Sequence, residues 1–283
     1  MNIECMCNLA KFLAAFCVLL SAHAEERPGC EPIAGTDQLW SKPALRFVLV
    51  GEMHGTKETP EIFRDLVCSA HELKRPIMVG IELKEQLAVD GFMASRNHDL
   101  AASILLSKRE WNHSDGRTSQ AMLALLEDLR ALGLRGVVSG MVAFSATRQG
   151  ETAAKGEERM ASALLAAARR YPKALVIVLT GNVHACKRML AEIGPYPLMA
   201  SFLPSAGTVS LFVTDRGGAA WNCQGDGCGP HSLSSSGEFQ REIKLSPGAQ
   251  LRTTSGDPDH EPGLRVVIEE TRFVSSRARI EDS

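Results

Sequence analysis

No apolar run in this chain reaches the ~20 residues that a membrane-spanning helix needs; the N-terminal run Phe12 to Leu20 has nine. A surplus of either charge is missing too. With 31 basic and 33 acidic side chains the net charge is −2, and Lys and Arg are scattered without a basic stripe, which argues against a nucleic-acid partner. Tyrosine occurs only at Tyr171 and Tyr196. The close pair Cys223 and Cys228 has no second Cys/His pair of matching spacing, so half of a zinc site is a weak reading of it. No solenoid period is visible.

The 283 residues, 45% hydrophobic and 23% charged, describe an ordinary globular chain able to build one large domain or two small ones. Residues 1–24 differ in kind: Lys11, the apolar run and Ser21-Ala22-His23-Ala24 predict a secretory signal, the alternative being an N-terminal helix packed on the domain. The expected division is 1–24 signal, 25–43 exposed lead, 44–215 core and 216–283 C-terminal region. The expected location is periplasmic or secreted. There Cys223 and Cys228 are the best disulfide candidates, while Cys68 and Cys186 read as small buried hydrophobes.

The core turns on the stretch Phe47-Val-Leu-Val-Gly51-Glu52-Met53-His54, which returns as Leu175-Val-Ile-Val-Leu-Thr-Gly181-Asn182-Val183-His184. Each is an apolar β-branched run ending in G-x-x-H. Runs without alternation are strands covered on both faces, and the glycine is expected to turn the chain sharply over the sheet edge. Ile77 to Glu82 is a further buried run that ends on a carboxylate.

Helices are expected between these strands. One starts at Thr59-Pro60, with Thr59 as N-cap, and ends before Pro76. A polar, mostly helical insertion leads to Arg117. Met122 to Leu132 and Glu157 to Arg170 carry helical stripes on either side of a strand over 136–144. Thr208 to Thr214 predicts another strand, 216–229 a Gly/Cys-rich loop and 230–237 a Ser-rich turn. Phe239 to Leu245 and Leu264 to Ile268 suggest a hairpin on the sheet edge. Strand and helix alternate, so the fold class is α/β: a mainly parallel sheet flanked by helices.

Ligands of such sheets bind beyond the strand C-termini, where Glu52, His54, Glu82 and His184 are expected to converge. Two imidazoles and two carboxylates suit a divalent Mn, Co, Zn or Fe ion held by His54, His184, Glu52 and Glu82. They equally suit metal-free acid–base catalysis, with Arg117 neutralising developing charge and Trp111 as a pocket wall. A lone G-x-x-H is an ordinary hydrogen-bonded turn; three charged strand ends at matching positions are harder to explain that way. For Arg117 the rival is an ion pair with Asp115 inside its own turn, and Arg159 reads as helix-surface decoration.

Paired G-x-x-H motifs, an intervening strand-end Glu and a loop Arg resemble the superfamily that joins erythromycin esterases, ChaN-type haem-uptake lipoproteins and TraB/Tiki proteins. The resemblance covers roughly 47–185. Gly51-Glu52-Met53-His54-Gly55 is similar to the Gly-Glu-x-x-His-Gly of the esterase branch, one residue shorter. It implies an α/β core with a polar pocket formed by Glu52, His54, Glu82, Arg117 and His184. It also implies one of three activities: metal-dependent proteolysis, lactone opening by His and Glu, or haem binding. A tyrosine-ligated haem is disfavoured because neither tyrosine falls at a strand end. The expectation is a hydrolase of ester, lactone or amide bonds acting on a small molecule or peptide, with haem or metal uptake as the alternative.

Overall fold

In a computed structural model, the chain is described at residues 30, 33, 35–113, 115–145, 150–214 and 218–233, and for the backbone of 250–253 and 264–267. The fold is that of the unit 31–283. Its elements in order are α1 (Thr36–Trp40), β1 (Phe47–Glu52), α2 (Glu58–Ala70), β2 (Ile77–Ile81), α3 (Gln86–Ala94), α4 (His98–Leu106), α5 (Gln120–Leu134) and β3 (Val138–Ala143). There follow α6 (Ala153–Arg170), β4 (Leu175–Gly181), α7 (Asn182–Ala185), β5 (Thr208–Thr214), β6 (Ala219–Gln224), β7 (Gly227–Ser232), β8 (Gln250–Thr253) and β9 (Leu264–Val267).

The main sheet has the order β3-β2-β4-β1-β5-β9-β8, and every neighbouring pair is parallel except β8 with β9. It is the α/β class expected. Residues of β1, β2 and β4 are buried without exception, because helices cover both faces. Val48, Val50, Ile77, Val79, Ile177 and Leu179 pack on the side of α2 and α5. Phe47, Leu49, Met78, Val176 and Val178 pack on the side of α6 and the 198–203 segment. Fully buried Phe63 on α2 fills the first of these layers, and Phe63→Ala is expected to cost about 3–5 kcal/mol, read as a lower midpoint in urea unfolding.

The chain leaves β1, crosses to β2 and β3, and returns to lay β4 between β2 and β1. That reversal is the topological switch of the sheet. Register then places Glu52 beside Gly181 and Ile81 beside Leu179, so the ends of β1, β4 and β2 form one contiguous ledge.

Several local expectations are corrected. Thr59 is not an N-cap: α2 begins at Glu58 after Lys57 without a side-chain cap, and Thr59 instead accepts a hydrogen bond from Thr56 at 2.7 Å. Pro60 still falls in the first turn, where a missing N–H leaves no bond unmade. Helix α6 starts at Ala153, four residues before the expected Glu157, because the Thr152 side chain caps it by accepting from the Lys155 N–H. Helix α5 runs one residue past Gly133, to Leu134. The lead expected to be exposed contributes buried Ile33 and Leu39, and the insertion expected to be polar contributes Val89, Phe92, Ala101 and Leu105 to the core.

Strand β3 ends the sheet, and its free side is blunted by Gln86, which donates to the Met141 carbonyl at 3.0 Å and accepts from the Ala143 N–H at 2.7 Å. Such capping protects an uncharged edge from pairing with other chains. Within the expected Gly/Cys-rich loop and Ser-rich turn, the described residues 219–232 instead form the antiparallel hairpin β6–β7, closed by a Cys223–Cys228 disulfide. Cys68 is disulfide-bonded, as is Cys30, against the expectation for Cys68, while Cys186 is a free, buried thiol. The signal segment, the Phe239 to Leu245 alternation and the connector 257–263 lie outside the described residues.

Candidate active site

The first motif closes on itself. Glu52 ends β1 and His54 follows two positions later on the same side of the chain, so the carboxylate Oε1 and the imidazole Nδ1 meet at 2.9 Å. The second motif is built differently. Gly181 is the last residue of β4 and His184 lies in the short helix α7, where its Nδ1 meets Glu157 Oε1 on α6 at 2.7 Å. The other Glu157 oxygen accepts from the Met199 N–H at 2.8 Å. Each imidazole therefore has its own buried carboxylate at Nδ1, which fixes the ring and leaves Nε2 turned toward Glu82.

The two rings flank Glu82. His54 Nε2 stands 3.9 Å from Glu82 Oε2 and His184 Nε2 stands 3.8 Å from Oε1, beyond hydrogen-bond reach. Glu82 is itself held: Oε2 accepts from the Thr180 hydroxyl at 3.0 Å and the Gly181 N–H at 3.1 Å, and Oε1 accepts from Arg117 Nη1 at 3.0 Å. Arg117 also donates from Nε to Asp115 at 3.0 Å. Arg117 thus makes the ion pair inside its own turn and also reaches Glu82. Side-chain exposure separates the roles: Glu52, Glu82 and Glu157 are at 5–6%, whereas His54, His184 and Arg117 are at 22%, 18% and 23%. Glu52, Glu82 and Glu157 form the buried floor, and the two imidazoles, Arg117 and its partner Asp115, at 27%, meet solvent.

Neither motif glycine has a left-handed backbone, so the expected sharp turn is not their purpose. Both allow close approach. A Cβ on Gly51 would lie 2.9 Å from Asn182 Oδ1, and one on Gly181 would lie 3.2 Å from His54 Nε2 and 3.5 Å from His184 Cδ2. Gly181 is the floor between the rings.

Burial pulls the His54 pKa down, but the hydrogen bond to Glu52 and the charges of Glu52 and Glu82 outweigh burial and Arg117, and the net shift is upward. His184 follows the same pattern: burial lowers it, and Glu157 with Glu82 raises it further. Burial would raise the Glu82 carboxyl; the opposing charges of His54, His184 and Arg117, with the Gly181 N–H, hold it below its ordinary value. The Arg117 guanidinium, despite burial, is held charged by Asp115 and Glu82.

All five residues expected at the site come together. Two assistants were not foreseen. Glu157 had a visible signal, since it occupies the stripe of Met160, Ala161, Leu164 and Ala168 on the buried side of α6, where a carboxylate has no place unless partnered. Glu110 had none; buried in the short turn 109–112, it accepts the Lys84 N–H at 2.8 Å and steadies the chain just after Glu82. Its own carboxyl is pushed up by burial. Trp111 is not a pocket wall but a core residue, 2% exposed. Arg159 pairs with Glu151 at 2.9 Å.

A resident divalent ion fits this donor set poorly. Among the described residues no group of three or more His, Cys, Asp or Glu side chains is arranged to hold a metal. The one carboxylate facing both Nε2 atoms already carries a guanidinium at 3.0 Å, so a cation placed there would meet another. A groove of larger volume runs along β3, lined by Met78, Met93, Met141 and Arg170, but none of the histidine cluster lines it.

The sequence matches no family model, and no curated protein matches it. Similarity appears in solved structures. A protein from Bacillus cereus superposes with a TM-score of 0.56 at 12% identity, over 83% of this chain and 91% of that one. The type III effector HopBA1 gives 0.48 at 14%, over 86% and 98%. A mutant erythromycin esterase, EreC in its open conformation, gives 0.45 at 10%, over 84% and 93%. At these identities the likeness to the Bacillus cereus protein defines an architecture, the helix-flanked parallel sheet, and nothing about chemistry.

Proposed function

We propose that this chain is a hydrolase of ester, lactone or amide bonds that works by histidine and carboxylate acid–base chemistry without a required metal, and acts outside the cytoplasm. The observation that carries the reading is the pair of imidazoles on either side of Glu82, each tied through Nδ1 to its own carboxylate. With Nδ1–H donated to Glu52 or Glu157, Nε2 of one ring is a base toward water and Nε2–H of the other, when protonated, is an acid toward a leaving group. Water loses a proton to the first ring as its oxygen bonds to the carbonyl carbon. Arg117 stabilises the resulting oxyanion. The bond to the leaving oxygen or nitrogen then breaks as the second ring gives up its proton, and exchange with solvent resets both rings. Glu82 stays ionised and favours the protonated state of whichever ring is acting as acid.

The disulfide Cys223–Cys228, with Cys30 and Cys68 also bonded, supports an oxidising compartment. No helix among the described residues is long and apolar enough to cross a membrane.

The first test is a panel of chromogenic esters, lactones and peptides, run with and without a chelator. Turnover that survives chelation is the expected result. Activity that vanishes and returns with Mn, Co, Zn or Fe would overturn the metal-free mechanism. A Soret band on haem titration, lost in His54→Ala and His184→Ala and unaccompanied by hydrolysis, would replace the hydrolase with a binding protein.

A bell-shaped pH–rate profile is expected, since one ring must be neutral and the other charged, and the two limbs belong to the coupled pair. Both imidazoles lie above the ordinary 6.5, so the acidic limb should fall above that value. Stability follows by linkage. The contribution of the histidines is complete below 6.5 and fades as pH rises through their folded values. That of Glu82 is present above its ordinary 4.5 and lost as pH falls through its depressed value. The part of the unfolding midpoint owed to the site should peak between those limits.

A further inference from the structure

We propose that the hairpin β6–β7 is a positioning element of this site: the Trp221 peptide keys the His54 turn to the Arg117 turn, and the Cys223–Cys228 disulfide keeps that peptide in place. Only the kinetic readout below rests on the hydrolase reading. Gly55 follows His54 and Gly116 precedes Arg117, and both have φ of +86°, a conformation that favours glycine. A Cβ on Gly55 would lie 1.8 Å from the Trp221 carbonyl oxygen and 2.8 Å from its nitrogen. A Cβ on Gly116 would lie 2.4 Å from the same oxygen and 2.9 Å from the Gly55 Cα. Three backbones from distant parts of the chain therefore meet with no side chain between them, and the Trp221 N–H donates to the Gly55 carbonyl at 3.0 Å.

A two-stranded hairpin is marginal by itself. This one has Cys223 and Cys228 directly opposite each other, two residues beyond Trp221 on β6, with Ala220 and Asn222 buried on the alternate face. The disulfide thus braces the strand that carries the key. His184 takes no part in this contact; it lies in α7 and is held by Glu157 on α6. The asymmetry is what makes the proposal testable: disturbing the hairpin reaches His54 and Arg117 directly and His184 only through Glu82. A hairpin that merely stabilised the fold would disturb both rings alike.

The experiment compares the parent with the Cys223→Ser/Cys228→Ser double variant, which leaves Cys30 and Cys68 untouched, by imidazole NMR and by hydrolysis of a chromogenic ester. The His54 resonances should move more than those of His184. kcat should fall on the order of 10–100-fold, as expected for displaced reacting groups, with KM within about twofold. A second pair of variants separates sterics from backbone conformation. Gly116→Asn and Gly136→Asn both place asparagine, which tolerates left-handed backbone, at φ of +86° and +77°, but a Cβ at Gly136 meets nothing within 4 Å. Gly116→Asn should reproduce the His54 shift and Gly136→Asn should not. Unchanged His54 resonances in both the double variant and Gly116→Asn, or equal movement of both rings, would overturn the proposal. A parent that hydrolyses no ester would sink the hydrolase reading instead, and the NMR comparison would still decide this one.

Discussion

Alanine at His54 or at His184 is expected to lower turnover by on the order of 10²–10⁴-fold, the range for removing a positioned general acid or base, together with a loss of stability, since Glu52 or Glu157 is left buried without its imidazole. The rings are partly exposed and their Nε2 atoms lie beyond hydrogen-bond reach of Glu82, so deleting them opens space toward solvent rather than a core cavity. The double variant should be scarcely slower than either single one, because an acid and a base that act in one step are lost as a unit. Glu157→Gln should sit between. It keeps one acceptor, for the His184 Nδ1–H or the Met199 N–H but not for both, and removes the charge that supports the imidazolium, so the basic limb of the pH profile should move down. Two single variants whose effects multiply would show that the rings work in separate steps. Turnover unaffected at both positions would remove the site altogether.

Removing Arg117 should be costly in two currencies at once, stability and rate. Glu82 and Asp115 both depend on it, and Glu82 is 8% exposed as a residue, so Arg117→Ala strands a buried carboxylate. Breaking such a pair from one side costs about 3–5 kcal/mol, and the lower end is expected here because Thr180 and Gly181 still hold Oε2. Turnover should fall on the order of 10²-fold through the lost oxyanion donor. Arg117→Lys should recover part of the stability but less of the rate, since an ammonium cannot serve Glu82 and Asp115 through one planar fork. Neutralising the stranded group, as in Arg117→Ala with Glu82→Gln, should regain stability relative to Arg117→Ala alone, and chemical denaturation of the four species gives the coupling directly. If Arg117→Ala were as stable as the parent, the guanidinium would not be partnering Glu82 in solution.

The sequence alone determined that Phe47 to Val50 and Leu175 to Leu179 are strands covered on both faces, because unbroken apolar β-branched runs have no solvent side, and that their polar ends share one edge of a parallel sheet. It pointed to four side chains that meet there, Glu52, His54, Glu82 and His184, since G-x-x-H and a strand-final Glu82 are local patterns, and left Arg117 between the site and an ion pair inside its own turn. What it left open was the geometry between them. Laying β4 between β1 and β2 sets Gly181 as the floor between the rings, and that order depends on long-range pairing, which leaves no mark within either motif. Partners far along the chain, Glu157 for His184 and the Trp221 peptide for Gly55 and Gly116, exist only once α6 and the hairpin have docked. The charge set beside Glu82 was likewise tertiary: Arg117, 35 positions further along the chain, comes to 3.0 Å from it only when the fold brings the two together.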